Sequence, residues 1–197
     1  MRSENVRLCT WSGIVASTVL FIGLWPLMHF VPPPLPSSGA EVIGAMYRDH
    51  ALGILLGGTL MLAASAFYVP FYGAISAVIE QIETRGAVLA KSMLVLGALA
   101  VCVPVAVTAD LWMVAAFRPE RSNETIQLLN DIGWFLFFTP VVAGSLYSVA
   151  MAVAIFADRS PQPVFPRWMA FLNIWVAVLF LPGGALAFFK TGPFAWN

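Results

Sequence analysis

Residues Thr108–Phe138 read TADLWMVAAFRPERSNETIQLLNDIGWFLFF. A long apolar run meets an aspartate at Asp110, recovers, breaks into a charged segment from Arg118, and turns apolar again from Ile132. Either this is the wet connection between two apolar helices or it is a working site. The remainder of the chain decides how to read it.

Of the 197 residues, 60% are hydrophobic and only 10% charged, and the mean hydropathy is +0.85. A soluble domain carries about 25% charged residues, so this chain cannot cover itself with a solvated surface, and the lipid bilayer is its expected surrounding. The formal net charge is zero. Lys and Arg are scattered rather than gathered into a basic stripe, so no nucleic-acid partner is expected. Cys9 and Cys102 lack metal-ligand spacing and read as small buried hydrophobes.

Crossing about 30 Å of hydrocarbon takes about 20 mostly apolar residues. Five segments qualify: 9–31, 51–79, 92–117, 132–156 and 168–189. These are long continuous runs rather than short alternating ones, which excludes a membrane β-barrel. The expected fold is all-α, a polytopic membrane bundle of five helices forming a single domain over residues 1–197. The first run is longer than the h-region of a signal peptide and ends in Pro32-Pro33-Pro34, so it is kept as a helix. The terminal FFKTGPFAWN has a turn signal followed by aromatic residues, which leaves room for a sixth helix if the chain continues past Asn197.

Six of the Lys and Arg residues (Arg2, Arg7, Arg85, Lys91, Arg159, Arg167) fall on one side and four (Arg48, Arg118, Arg121, Lys190) on the other. That bias puts the N-terminus in the cytoplasm and the opening segment outside the cell membrane. Trp11 and Trp168 are expected at the inner interface, and Trp25, Trp112, Trp134 and Trp196 at the outer; Trp175 lies deeper and is expected to pack.

Each span carries a proline: Pro26, Pro70, Pro104, Pro140 and Pro182. A proline lacks its N–H and clashes with the carbonyl four residues back, so every helix is expected to bend. The freed carbonyls need other donors, for which Tyr68, Tyr72, Thr108 and Thr139 are candidates. Bent helices can enclose a cavity. The expected ligand-binding set is Tyr68, Tyr72, Asp110 and Asn130, around a cavity open to the outer side. Asp110 falls near the outer limit of its span, where an acid can be hydrated. Gly53 and Gly57 stand at the GxxxG spacing, a helix-packing face usable within the chain or toward a partner. Asn173 suggests an interhelical hydrogen bond.

In the charged segment, Pro119 interrupts the helix and Ser122 or Asn123 can cap a new one. From there Ile126, Leu129 and Gly133 keep helical spacing into the fourth span, so the segment is mostly a helix entry. His29 and His50 come to the same side as Asp110, and histidine with carboxylate suits zinc or iron. Neither an HxxxH nor an HExxH spacing is present, and hydrolase, kinase and redox motifs are absent. The leading expectation is therefore a non-catalytic role: a subunit, assembly or accessory protein of a larger membrane complex, paired with a membrane-protein partner or a second copy through the small-residue face. The alternatives are a lipid or small-molecule binder or carrier, and a metal-dependent membrane enzyme using His29 and His50.

Overall fold

The computed structural model describes residues 2–82 and 88–196, so the 83–87 connection, with Arg85, lies outside the described residues. All the regular structure among the described residues is helical, with no strand. Five helical stretches are long and apolar enough to cross a membrane: Glu4–Leu27, Ala51–Ile82, Val88–Phe117, Asn123–Ala157 and Trp168–Phe188. They are built from α1 (Arg2–Ile22), α3 (Ala51–Ile82), α4 (Val88–Gly97) with α5 (Val103–Phe117), α6 (Asn123–Phe138) with α7 (Val141–Ala157), and α8 (Trp168–Phe180). One more helix, α2 (Ala40–Asp49), forms between the first two expected spans, after the prolines at 32–34 and 36. Its Ile43, Gly44 and Tyr47 are buried, so one face of this short helix packs onto the bundle. The spacing of four residues between Ile43 and Tyr47 puts both on that face.

Proline sets where the spans change winding. The first span widens into a π-turn at Gly23–Leu27, around Pro26, and the third does so at Ala98–Cys102, just before Pro104. The extra residue in a π-turn gives the ring room without breaking the helix. The fourth span breaks at Thr139–Pro140 between α6 and α7, and the fifth tightens into a 3-10 segment, Leu181–Phe188, at Pro182. Only α3 keeps α-helical winding across its proline, Pro70. The hydroxyls expected to rescue the freed carbonyls bond elsewhere: Thr139 Oγ1 donates to the Phe135 carbonyl at 2.6 Å and Thr108 Oγ1 to that of Gly133 at 3.2 Å.

The first span ends earlier than the apolar run does. His29 adopts a left-handed backbone (φ 57°), and the Phe30 N–H turns back to the Leu24 carbonyl at 2.9 Å. That geometry closes the helix as a glycine C-cap would and drives Phe30, fully buried, back into the bundle.

Gly53 and Gly57 meet the first span. A Cβ on Gly53 would run into the Leu27 carbonyl, and one on Gly57 would lie 2.8 Å from the Gly23 carbonyl. The GxxxG face is thus occupied within the chain, where it lets α1 and α3 approach at backbone distance.

Candidate functional site

Two groups of aromatic side chains dominate the interior. The first lies toward the end of the bundle that carries α2. Phe30, Tyr47, Trp112 and Trp134 are all at most 2% exposed. Phe30 meets Trp112 edge-on with ring centroids 4.9 Å apart, and Trp112 lies 4.7 Å from Trp134. Such edge and tilted pairs are the favoured arrangements of aromatic quadrupoles. Asn130, 1% exposed, sits among them. Its Oδ1 accepts from the Tyr47 hydroxyl at 3.2 Å and from Trp134 Nε1 at 3.1 Å, and its Nδ2 donates to Asp131 at 3.1 Å. Burial, with the Asp131 carboxylate nearby, pushes the Tyr47 phenol well above its ordinary pKa, so it stays a donor. Gly133 lies directly beneath the Trp112 indole, where a Cβ would collide with Nε1. The hub is closed and its polar atoms are paired. Trp112 and Trp134, expected at an interface, are core residues.

The opening segment wraps over this hub. Arg48, at the end of α2, donates to the carbonyls of Pro119 (2.8 Å) and Arg121 (3.1 Å) and to Asn123 Oδ1 (2.7 Å). Ser122 caps α6 by accepting from the Thr125 N–H at 3.3 Å. Gln127 bonds the Ser38 carbonyl and Trp196 Nε1 that of Pro34, at 3.0 Å each. The segment is therefore a structured helix entry clamped by Arg48.

The second group surrounds a cavity of about 500 Å³ in the middle of the spans. Its walls are rings and aliphatic chains: Tyr72 from α3, Phe137 and Phe138 from α6, Tyr147 from α7, and Val176, Leu179 and Phe180 from α8. Its lining also includes the small residues Ala100, Gly144, Ser148 and Gly183. The cavity stands where the three broken spans meet: the π-turn at 98–102, the break at Pro140 and the 3-10 segment after Phe180. Helices that change winding do not keep side-chain ridges in register with a neighbour's grooves, and the small residues do not fill what remains. Tyr147 packs edge-on against Tyr72, centroids 5.4 Å apart. Its hydroxyl is the one buried side-chain polar atom among the described residues without a hydrogen-bond partner. Ser145 Oγ links α7 to α8 beside it, donating to the Ala177 carbonyl at 3.0 Å.

Of the expected ligand set, only Tyr72 lines this cavity. Tyr68 is next to it, centroids 6.3 Å from Tyr72, and bonds Ser17 Oγ at 3.0 Å. Asn130 belongs to the closed hub, and Asp110 points away from the interior on the exposed face of α5. Tyr147, Gly144 and Ser148 went unnoticed in the sequence, although Pro140 and Pro182 with nearby glycines marked the place. Asn173 bonds the Met169 carbonyl of its own helix at 2.8 Å rather than another helix, and Trp175 is 69% exposed rather than packed.

His29 and His50 do come together, stacked with centroids 4.6 Å apart and planes 18° from parallel. Lone pairs lie in the ring planes, so stacked rings aim them side by side rather than at one shared point. Among the described residues no group of three or more His, Cys, Asp or Glu is placed to hold a metal.

The fold and cavity define an all-α bundle with five helices long and apolar enough to cross a membrane and an apolar chamber among them. No protein-family profile, curated protein or solved structure matches this chain.

Proposed function

We propose that this chain is a multi-pass protein of the cell membrane, N-terminus in the cytoplasm, that binds a lipid-like molecule in the chamber between its second, third, fourth and fifth spans. One observation carries the reading: the Tyr147 hydroxyl, buried and unpaired, belongs to a residue of an apolar cavity of about 500 Å³. That volume is within the range of small-molecule sites, about 300–1,000 Å³. A buried donor left unmade costs about 1–3 kcal/mol. The Tyr147 hydroxyl is closed off from the cavity, and a ring movement that brings it to a ligand carbonyl or ether oxygen would relieve it. The ligand class that suits such a wall is a largely hydrocarbon molecule with one hydrogen-bond acceptor. The aromatic rings supply contact area and Tyr147 sets orientation. The half-exposed Phe180 and Leu179 put the entrance toward the lipid rather than toward the α2 end, where the Asn130 hub closes the bundle.

Native mass spectrometry of the protein extracted in its own lipids tests this. The expected result is a discrete apolar adduct on a single chain that is weakened in Tyr147→Phe and lost in Gly144→Leu, both still folded. A bare chain, or adducts with the same distribution in all three proteins, overturns it.

A further inference from the structure

The third span shows its surroundings one continuous stripe: Val103, Val107, Asp110, Val114 and Phe117 are all exposed. The steps between them are 4, 3, 4 and 3 residues, the spacing along which a second helix packs in a left-handed pair. Asp110 interrupts the stripe seven residues before Phe117, the last residue of α5, which is about 10 Å along the axis. Apolar side chains flank it on both sides. The other polar residue of this stretch, Thr108, is fully buried and satisfied on the Gly133 carbonyl. The one ion pair among the described residues, Arg118 with Glu120, lies beyond the end of the helix. Asp110 itself meets no described hydrogen-bond or ion-pair partner. Ionisable groups in membrane spans pair with one another or face a cavity; Asp110, at the outer limit of its span, does neither within this chain and has only water at the boundary to solvate it.

We infer that this stripe is the seam for one transmembrane helix of a different polypeptide, whose Lys or Arg meets Asp110. Charge complementarity selects a cation at that depth. No Lys or Arg among the described residues of a second copy is placed to supply it. Arg7 and Lys91 lie within about one turn of a span's start, at the opposite end of the bundle from Asp110. Arg2, Arg48, Arg118, Arg121, Arg159, Arg167 and Lys190 lie outside the spans altogether, and Arg85 is in the 83–87 connection outside the described residues. A two-fold pairing through the seam would also set one Asp110 against the other. The GxxxG face is closed by the first span, so it does not compete for the partner. Within the seam the Asp110 charge fixes register, as a single polar residue does in a coiled coil. The inference rests on the spans crossing a bilayer and is independent of the cavity.

The test is site-specific photocrosslinking in native membranes. A photoreactive phenylalanine analogue replaces Val107 or Val114, and in a control Ile14 on the exposed face of α1, in Asp110 and Asp110→Asn backgrounds. The expected result is one polypeptide trapped from both α5 positions and not from Ile14. Its attachment point should lie within about one turn of a Lys or Arg in an apolar helix, and the yield should fall about tenfold or more in Asp110→Asn. Asp110→Leu should unfold at the same temperature as the parent, because the side chain is on the surface. Crosslinks to lipid alone, to a second copy, or to a partner indifferent to Asp110→Asn overturn the inference. So does a lowered unfolding temperature in Asp110→Leu, which would show a structural role. Extraction of the chain by alkaline carbonate would instead remove the spanning reading on which the seam depends.

Discussion

The two aromatic clusters of this bundle are made from similar residues and end in opposite states. In the hub, Phe30, Tyr47, Trp112 and Trp134 fill the space completely, and Asn130 collects the phenol and an indole N–H. In the chamber, Tyr72, Tyr147, Phe137, Phe138 and Phe180 line a void, and the Tyr147 hydroxyl finds no acceptor. The difference lies in how the helices meet around the rings. The hub is held by regular stretches of α5 and α6, by α2, whose docking adds Tyr47 from outside the spans, and by the turn after the first span that sends Phe30 back. The chamber is framed by a π-turn, a proline break and a 3-10 segment. Aromatic residues close a core where helices interlock and enclose a site where they do not.

The sharpest way to break this contrast is to truncate one ring from each cluster. Trp112→Ala should lower stability by about 4 kcal/mol, as for a fully buried aromatic residue, while Phe180→Ala, whose side chain is 41% exposed, should cost about 1 kcal/mol. Chemical unfolding in detergent micelles reads both, and equal losses would mean the chamber is packed as tightly as the hub. Next in size is the addition of one methyl group. Gly133→Ala forces a Cβ into the Trp112 indole and should cost about 2 kcal/mol. Gly144→Ala meets only the edge of the Phe180 ring, at 3.1 Å, and should stay within about 0.5 kcal/mol of the parent. The same assay decides between them.

Removing a hydroxyl sharpens the polar side of the comparison. Tyr47→Phe strips a bond from Asn130 and should destabilise by about 1 kcal/mol. Tyr147→Phe removes an unsatisfied donor and should leave the ligand-free protein as stable as before or slightly more so. A loss in Tyr147→Phe without ligand would show that its hydroxyl already has a partner.

The smallest effect is expected far from both clusters, in the turn after α7. There Asp158 accepts from the Ser160 and Val164 backbone N–H groups at 2.9 Å each. These bonds, led by those from Ser160, with Arg167 adding attraction, hold its carboxyl below the usual carboxylate range. A carboxyl with a depressed folded pKa stabilises above its unfolded value, about 3.9, and that contribution is lost as pH falls through the lower folded value. Asp158→Asn should therefore flatten the acid limb of the stability profile and leave the hub and chamber variants with unchanged differences. An acid limb that is the same in both proteins would contradict this.

Much of the architecture was legible because its cause is local. A run of apolar residues long enough for a bilayer announces a helix wherever it stands, and the entry helix after Pro119 followed from Ser122 and the spacing of Ile126, Leu129 and Gly133. The α2 helix was hidden because its ten residues follow a run of prolines and are too few to cross a membrane, and only its docking onto α6 gives the apolar face of Ile43 and Tyr47 a purpose. Trp112 and Trp134 misled for a related reason. Their position near the ends of the spans is what an interfacial anchor shows, and a sequence does not report which side of a helix faces a neighbour.

The site divides in the same way. Prolines in every span predicted bending, and bending predicted a cavity, but not which kinks would face one another. Tyr72 was recognised while Tyr147 was not, since nothing local distinguishes a tyrosine at a void from one in a packed seam. The stacking of His29 on His50 likewise required the left-handed turn at His29 and the start of α3 to coincide in space. By itself the sequence determined the number of spans, their approximate limits and the place where winding changes in four of the five, because hydropathy and the missing proline N–H act within a few residues. The tertiary structure alone decided that the glycine face closes on the first span, that Asn130 is satisfied while Tyr147 is not, and that Asp110 faces outward. Those depend on which helix surfaces meet, and contact between residues distant in sequence is set by how all the helices pack together.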